Sequence, residues 1–217
     1  ESLSENLHQK DTLYSEPTEA KDKNIISCTL EGLKSELDRF DGCTLKRTAK
    51  NLVFSDGNPK AQVMLLGEAP GEEEDKIGKP FLGTAGKLLD KMLASIGQNR
   101  KNTYLSNIVF WRPPGNRNPS EQEIKVCFPF VMRHIEIIKP KILILAGAIS
   151  AKTVLKNDTL GITRLRGIWH DLEIGAEKIK IKAIPIFHPA FLLRQPARKR
   201  EAWEDLKKIR DEIKKIT

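Results

Sequence analysis

The sequence predicts a three-layer α/β/α sandwich with a central, mostly parallel four-stranded sheet. Apolar runs of strand length alternate along the chain with segments of helical periodicity, the order expected when helices cover both faces of a parallel sheet. The run at residues 142–147 is unbroken by polar side chains, which is typical of a strand buried on both faces. No internal repeat or coiled-coil pattern indicates a different architecture.

Length and composition indicate one domain with a substantial core. The chain has 217 residues and three cysteines, and it contains no apolar run of membrane-spanning length. We therefore expect a soluble, cytoplasmic protein in a reducing compartment, with no membrane association and, without an apolar signal segment, no secretion. Residues 1–25 are polar and aperiodic, which predicts a flexible N-terminal tail before a single domain over residues 26–217.

The charge is unevenly distributed. The formal net charge is +8, yet residues 1–27 carry six acidic side chains against three lysines, so the rest of the chain is strongly basic. A basic domain favours an anionic partner, of which nucleic acid is the commonest. Charge alone is equally compatible with a basic protein that binds no nucleic acid.

Periodicity and caps predict the elements in the first half of the chain. Leucines at helical spacing indicate a helix over about residues 30–40. Residues 52–54 are predicted to be a short strand, and residues 62–67 the first strand of the sheet. Thr84 is the expected N-cap of the next helix, and residues 103–109 are predicted to be the second strand. The buried stripe of the Thr84 helix comprises Leu88, Leu89, Met92, Leu93 and Ile96.

A capping box starts the next long helix. Ser120 and Glu123 have the required spacing, and Pro140 ends the helix. The strand at residues 142–147 follows, and then a short helix over residues 148–155.

The last part of the chain contains an irregular excursion and a closing helix. Residues 164–182 predict a small hairpin or excursion, and residues 184–187 the last strand, which ends at His188. The closing helix starts near residue 198. Its predicted buried face comprises Trp203, Leu206, Ile209, Ile213 and Ile216.

Polar groups stand at the ends of three predicted parallel strands. The acidic loop at residues 67–75 follows the first strand, Asn107 lies in the second, and His188 ends the last. Because the carboxyl ends of parallel strands share one edge of the sheet, we expect these groups to converge in one pocket.

Two other kinds of site fit poorly. Residues 83–88 faintly resemble a phosphate-binding loop, but Phe81 stands where the first glycine belongs and Leu88 replaces the required hydroxyl. The four histidines lack metal-ligand spacing, and the acidic residues 72–75 are equally well explained as a solvated loop.

Four motifs, in the same order along about residues 40–210, resemble the family 4 (type-4) uracil-DNA glycosylases. They are Gly67-Glu68-Ala69-Pro70-Gly71-Glu72-Glu73-Glu74-Asp75, Lys79-Pro80-Phe81-Leu82-Gly83, Ser106-Asn107 and His188-Pro189-Ala190-Phe191-Leu192-Leu193-Arg194. The resemblance implies a monomeric, monofunctional enzyme of base excision repair that flips uracil out of single- or double-stranded DNA and hydrolyses its N-glycosidic bond. It also implies the α/β fold of the uracil-DNA glycosylases.

The resemblance assigns the uracil site to four residues: Ala69, Phe81, Asn107 and His188. Phe81 would stack on the flipped base, Asn107 would pair with its Watson–Crick edge, and His188 would face the uracil O2 as negative charge builds up there. The alternatives are a core aromatic for Phe81, a strand-end cap for Asn107 and a turn anchor for His188.

The catalytic assignments that the resemblance implies are Glu68, Glu74 and His188. Other branches of the superfamily have an aspartate where this chain has Ala69. Either glutamate is a candidate to orient water or to stabilise an oxocarbenium-like sugar, and no firm general base is assigned.

Five residues are candidate DNA contacts. Leu192, Leu193 and Arg194 resemble the intercalation loop of the family, in which an apolar wedge fills the gap left by the base. Arg198 and Lys199 are phosphate candidates, although a single basic residue is commonly just a solvated charge.

The chain departs from the family at its metal cluster. Family 4 enzymes usually hold a four-iron, four-sulfur cluster on four cysteines, and the aligned positions here are Phe40, Cys43, Trp111 and Cys127. Two thiolates do not make the usual ligand set, and Cys28 lies out of register. We expect no cofactor and hypothesise that the two aromatics fill the volume of the cluster.

Two other functions remain open from the sequence. A DNA-binding protein of the same fold with weak or lost glycosylase activity is the principal alternative, and the motif set of Glu68, Phe81, Asn107 and His188 favours the enzyme over it. A nucleotide-binding α/β module is the weaker alternative, because the phosphate-loop pattern fails.

Overall fold

A computed structural model describes residues 25–216 of the protein. The tail predicted for residues 1–25 therefore lies, except for its last residue, outside the described residues. Within the described part of the chain, no helix is both long and apolar enough to cross a membrane.

The described chain forms one six-stranded sheet in the order β1-β3-β2-β4-β6-β5. The strands are β1 (Asp56–Gly57), β2 (Val63–Gly67), β3 (Thr103–Asn107), β4 (Ile142–Ala146), β5 (His170–Ile174) and β6 (Ile179–Ile186). The four inner strands are parallel, whereas β1 and β5 pair antiparallel at the two edges. The predicted α/β fold with a mostly parallel four-stranded centre is confirmed, and the two edge strands extend it.

Helices cover both faces of the sheet. They are α1 (Leu30–Arg39), α2 (Glu72–Ile77), α3 (Thr84–Ala94), α4 (Glu121–Ile138), α5 (Ala148–Leu155), α6 (Ile162–Leu165), α7 (Pro189–Arg194) and α8 (Lys199–Ile216). Buried side chains of α1, α4 and α5 form a core on one face, and those of α3, α7 and α8 form a second core on the other. The β2, β3 and β4 strands are buried throughout, which the apolar sequences of β2 and β4 predict.

The edges of the sheet differ from the prediction. Residues 52–54 are not a strand, because Val53 makes a single backbone bond to Phe110 and regular pairing begins only at β1. The excursion at residues 164–182 is confirmed in part as the β5–β6 hairpin, and β6 starts earlier than predicted because its first residues pair with β5.

Two predicted side-chain positions are also wrong. Gly83, not Thr84, is the N-cap of α3, because the Gly83 backbone is extended and Thr84 is already the first helical residue. Trp203 is 39% exposed and lies at the margin of the α8 buried face. The capping box of α4 is confirmed, since Ser120 Oγ accepts from Glu123 N–H and Glu123 Oε2 accepts from Ser120 N–H.

Candidate active site

A cleft of about 520 Å³ opens at the carboxyl ends of the parallel strands. The polar groups at the ends of β2, β3 and β6 all contribute to its wall, as expected of strand ends that share one edge. The predicted site residues in this wall are Glu68, Ala69, Glu74, Phe81, Asn107, His188 and Arg194.

Asn107 presents a carboxamide that no described residue uses. It is the last residue of β3, lies opposite Gly67 of β2 and is 2% exposed. Among residues 25–216, no group hydrogen-bonds its side chain. A Cβ on Gly67 would lie 2.4 Å from Asn107 Oδ1 and 2.5 Å from Phe81 Cζ. Glycine at this position therefore makes room for both side chains.

Phe81 forms an aromatic wall beside His188. Phe81 is 6% exposed, and the centroids of the two rings are 6.1 Å apart with planes inclined by 27°. The Phe81 backbone has φ of 57°, a left-handed conformation that is uncommon for a residue with a side chain. The ring position therefore depends on the contacts that hold this backbone.

His188 is the N-cap of α7 and has a defined tautomer. Its Nδ1 accepts a 3.1 Å hydrogen bond from Ala190 N–H, so in the neutral ring the proton is on Nε2. Burial, with the positive charge of Arg194 adding to it, lowers the pKa of His188 to about 4. At neutral pH the imidazole is thus an uncharged Nε2–H donor in the cleft wall.

Glu68 is held against the N-terminus of α5. Its Oε1 accepts from Ile149 N–H at 3.0 Å, and a Cβ on Gly147 would lie 2.2 Å from the same oxygen. Burial raises the pKa of Glu68 above its usual value, while hydrogen bonds from the backbone of Ile149 and Ala148 act in the opposite direction.

Glu74 is engaged by backbone groups on both carboxylate oxygens. Oε1 accepts from Leu82 N–H at 2.8 Å and Gly83 N–H at 2.9 Å, and Oε2 accepts from Gly71 N–H at 3.1 Å. The buried carboxylate therefore joins the acidic loop to the segment that follows Phe81.

Comparison with known proteins identifies the family. The family model described as the uracil DNA glycosylase superfamily matches residues 54–207. The chain is 38% identical over 184 residues to the type-4 uracil-DNA glycosylase of Archaeoglobus fulgidus, covering 83% of this chain and 92% of that protein. It is 40% identical over 187 residues to the type-4 enzyme of Sulfurisphaera tokodaii, covering 84% of each. It is 36% identical over 188 residues to that of Thermotoga maritima, covering 86% of this chain and 95% of the relative.

The chain belongs to the type-4 uracil-DNA glycosylases. The resemblance noted from the motifs is thereby confirmed.

One of the five predicted DNA contacts is buried in the protein core. Leu192 is 1% exposed and packs in the core between α3 and α8, so it is not available as a wedge. Leu193 is 39% exposed and Arg194 lies at the cleft. Arg198 forms a 2.6 Å ion pair with Glu201, and Lys199 is exposed at the start of α8.

The residues at the type-4 cluster positions do not fit a four-cysteine cluster. Cys43 and Cys127 are buried with their sulfurs 3.8 Å apart, and Trp111 and Phe40 belong to the surrounding apolar core. The Phe40 ring lies 4.9 Å from that of Phe130. Within residues 25–216, no group of three or more His, Cys, Asp or Glu side chains is arranged to hold a metal ion.

The sequence analysis did not identify one wall of the cleft. This wall comes from the loop between β3 and α4, in which Arg117 forms a two-pronged ion pair with Glu123 at 2.7 and 2.8 Å. The place of this loop in the sequence could have indicated the wall, because the loop follows the strand that ends in Asn107. The wall consists of Asn116, Arg117, Asn118 and Pro119.

Proposed function

We propose that this protein is a monofunctional uracil-DNA glycosylase of base excision repair, acting on single- or double-stranded DNA. The observation that carries the proposal is the free Asn107 carboxamide, which shares one cleft with the Nε2–H of His188 and the ring of Phe81. The relatives support it, since each is a type-4 uracil-DNA glycosylase.

Base selection rests on Asn107. In our proposal the flipped base stacks on Phe81, while the carboxamide accepts from uracil N3–H and donates to O4. Cytosine presents an acceptor and a donor at these two positions, so it would leave buried polar groups unpaired. Such a mismatch typically costs about 1–3 kcal/mol for each unsatisfied group.

His188 stabilises the leaving group. As the glycosidic bond breaks, its electron pair moves into the uracil ring and negative charge builds on O2. Nε2–H of the neutral imidazole then donates to that oxygen, in the way other enzymes use preorganised donors worth about 2.7–4 kcal/mol. Water supplies the oxygen that bonds to C1′, and its released proton balances the uracil anion.

Glu68 is our candidate for the carboxylate beside the sugar. Its α5 hydrogen bonds fix its position, and in the ionised form its charge favours the oxocarbenium-like sugar or orients the attacking water. Glu74 has a different role. Because both of its oxygens accept from backbone groups, we assign it to holding the loop rather than to direct catalysis.

DNA contacts extend from the cleft along α7 and α8. We propose that Leu193 fills the space vacated by the base and that Arg194, Arg198 and Lys199 meet phosphates. Action as a monomer is what the resemblance to the family implies, and it is part of this proposal. The free thiols, two of them buried side by side, favour the reducing cytoplasm.

We also propose that no iron–sulfur cluster takes part. Two thiols and two aromatic side chains at the aligned positions are a poor ligand set, and the aromatics pack instead into the core. Apolar burial then stabilises the region that metal–thiolate bonds stabilise elsewhere in the family.

The decisive experiment measures uracil release from single-stranded and duplex oligonucleotides. Wild type should release uracil, whereas Asn107→Ala and His188→Ala should each be slowed by about 10²–10³-fold. Asn157→Ala is the matched control and should match wild type, because the Asn157 side chain bonds only residues of its own loop. DNA binding by wild type without any release would instead favour a DNA-binding protein that has lost turnover.

A further inference from the structure

Arg100 reaches from the turn between α3 and β3 to the loop that carries Phe81. Its Nη2 donates to the Phe81 carbonyl oxygen at 2.5 Å, and its Nη1 donates to the Pro80 carbonyl oxygen at 3.2 Å. No motif of the sequence marked this residue. It is not in the cleft wall, and it reaches the site through backbone carbonyls of the loop that carries Phe81.

The guanidinium is itself fixed by two carboxylates. Nη1 donates a hydrogen bond to Asp56 Oδ2 of β1 at 2.7 Å, and Nε donates to Asp90 Oδ1 of α3 at 3.0 Å. The side chain is 23% exposed, and these four partners come from a strand, a helix and a loop. A planar guanidinium held in this way places its remaining donors in fixed directions, which a lysine does not.

The contacts converge on a carbonyl whose residue has an unfavourable backbone conformation. Phe81 has φ of 57°, which a residue with a side chain keeps only where its surroundings fix it. On the other side of this carbonyl is Gly86, where a Cβ would lie 1.9 Å from the oxygen. The next two amides, of Leu82 and Gly83, are held by Glu74.

We propose that Arg100 is a positioning residue for base stacking: by holding the Phe81 carbonyl in its left-handed turn, it sets the plane of the Phe81 ring in the cleft. The inference rests on the proposed stacking role of Phe81. Misplacement of a substrate-positioning group by about 1 Å can cost about 10²-fold in rate, so this contact matters for turnover.

The alternative is that Arg100 serves only as an ion-pair link between β1 and α3. Such a link affects stability and leaves the rate of the folded enzyme unchanged. The two roles are separated by testing whether the effect of Arg100 depends on the Phe81 ring. If Arg100 acts through that ring, then removing the ring removes the effect.

The experiment measures single-turnover uracil release and DNA affinity for Arg100→Gln, Phe81→Ala and the double variant. We expect Arg100→Gln to slow release by about 10–100-fold with nearly unchanged DNA affinity, and to add less than about threefold in the Phe81→Ala background. Arg100→Lys should recover only part of the rate, since it restores the charge without both carbonyl contacts.

Arg133→Gln is the matched control. Arg133 likewise bonds a carbonyl, that of Ser27, and pairs with Glu136 at 2.7 Å, but it lies on α4 outside the cleft wall. Its rate should match that of wild type. Thermal unfolding of every variant reports whether a lost rate reflects lost folding. If Arg100→Gln does not fold, Arg100→Lys with and without Phe81→Ala carries the same comparison.

Two results would overturn the inference while leaving the proposed function intact. One is a wild-type rate for folded Arg100→Gln alongside a slow Phe81→Ala. The other is an equal slowing by Arg100→Gln in both backgrounds. A wild-type rate for Phe81→Ala itself would contradict the stacking part of the proposed function, and the inference would fall with it.

Discussion

The backbone N–H of Ala190 donates a 3.1 Å hydrogen bond to Nδ1 of His188. This contact closes the first turn of α7 and at the same time places the imidazole proton on Nε2. A turn that opens with His-Pro thus both starts a helix and prepares a neutral donor. The proposed chemistry needs that donor uncharged and already oriented before the base arrives.

We predict that His188 stays neutral far below the usual histidine range. Burial lowers its pKa to about 4, so the Nε2–H tautomer should persist from neutral pH down to about that value. Unfolded histidine titrates near 6.5, so this residue should also reduce folding stability as the pH falls from about 6.5 towards 4. Nitrogen-15 NMR of the labelled imidazole tests this, with His188→Asn to assign the signal. A titration centred near 6.5 would contradict it.

Gly67→Ala should damage the site far more than the fold. The new Cβ would meet Asn107 Oδ1 and Phe81 Cζ, both of them ends of side chains that can move aside. We expect uracil release to fall by about 10²-fold, while the thermal midpoint shifts only slightly. Single-turnover kinetics and thermal unfolding check the two halves. Gly97→Ala is the control for the rate, because nothing lies within 4 Å of its Cβ. Its φ of 75° should lower its thermal midpoint while uracil release stays at the wild-type rate.

Glu68→Gln should remove an acid limb from the pH–rate profile. Burial raises the pKa of Glu68 above its usual value, so the ionised form that we propose to act at the sugar is lost at higher pH than for an ordinary glutamate. The wild-type rate should fall as the pH drops through this raised pKa. The variant should be about 10²-fold slower at neutral pH and flat across that range.

The same substitution separates charge from structure. A glutamine oxygen can still accept from Ile149 N–H, so the N-terminus of α5 keeps its partner. Because the folded state holds the Glu68 proton more tightly than the unfolded state, the ionised carboxylate reduces stability at neutral pH. The Glu68→Gln thermal midpoint at neutral pH should therefore equal or exceed that of wild type. A lower midpoint would indicate that Glu68 is mainly structural.

The sequence predicts the sheet and the convergence at its edge for a simple physical reason. Parallel strands with apolar sequences have one shared carboxyl edge, so residues that end them, such as Asn107 and His188, meet without any detailed knowledge of packing. The edge strands are different. β1 has two residues and no distinctive pattern, and its pairing with β3 depends on tertiary contacts.

Contacts made by backbone groups leave no residue signature. The partners of Glu74 are amides, and those of Arg100 include carbonyls, so neither role is visible in the sequence. The sequence also does not show that Leu192 is buried and Leu193 exposed, for another reason. In a six-residue helix, two adjacent leucines have no periodicity that would identify which one faces the core.

Leu192 and Leu193 should respond oppositely to alanine. Leu192 is 1% exposed in the core, and its truncation should reduce the free energy of unfolding by about 2–5 kcal/mol. Leu193 is 39% exposed, so its truncation should change stability by less than about 0.5 kcal/mol while slowing uracil release from duplex DNA. Chemical denaturation and excision assays measure the two effects. Release from single strands, where no gap needs filling, is the internal control for Leu193→Ala.

An iron chelator should leave both activity and thermal midpoint unchanged. The Cys43 and Cys127 sulfurs lie 3.8 Å apart. At a third of the four aligned positions the chain has Trp111, which is 2% exposed and has no sulfur to bind iron. Iron analysis of anaerobically purified protein should accordingly find no stoichiometric metal. Trp111→Ala should cost about 3–5 kcal/mol of unfolding free energy, as expected of a large core side chain.

Restoring the ligands tests the same interpretation from the opposite side. Phe40→Cys combined with Trp111→Cys places four cysteines at the aligned positions, so iron and sulfide reconstitution should then load this variant but not wild type. Cys28→Ser controls for the exposed thiol, which is expected to bind no cluster in either background. Stoichiometric iron in wild type, with a lower thermal midpoint after chelation, would show that the aromatics do not replace the cluster.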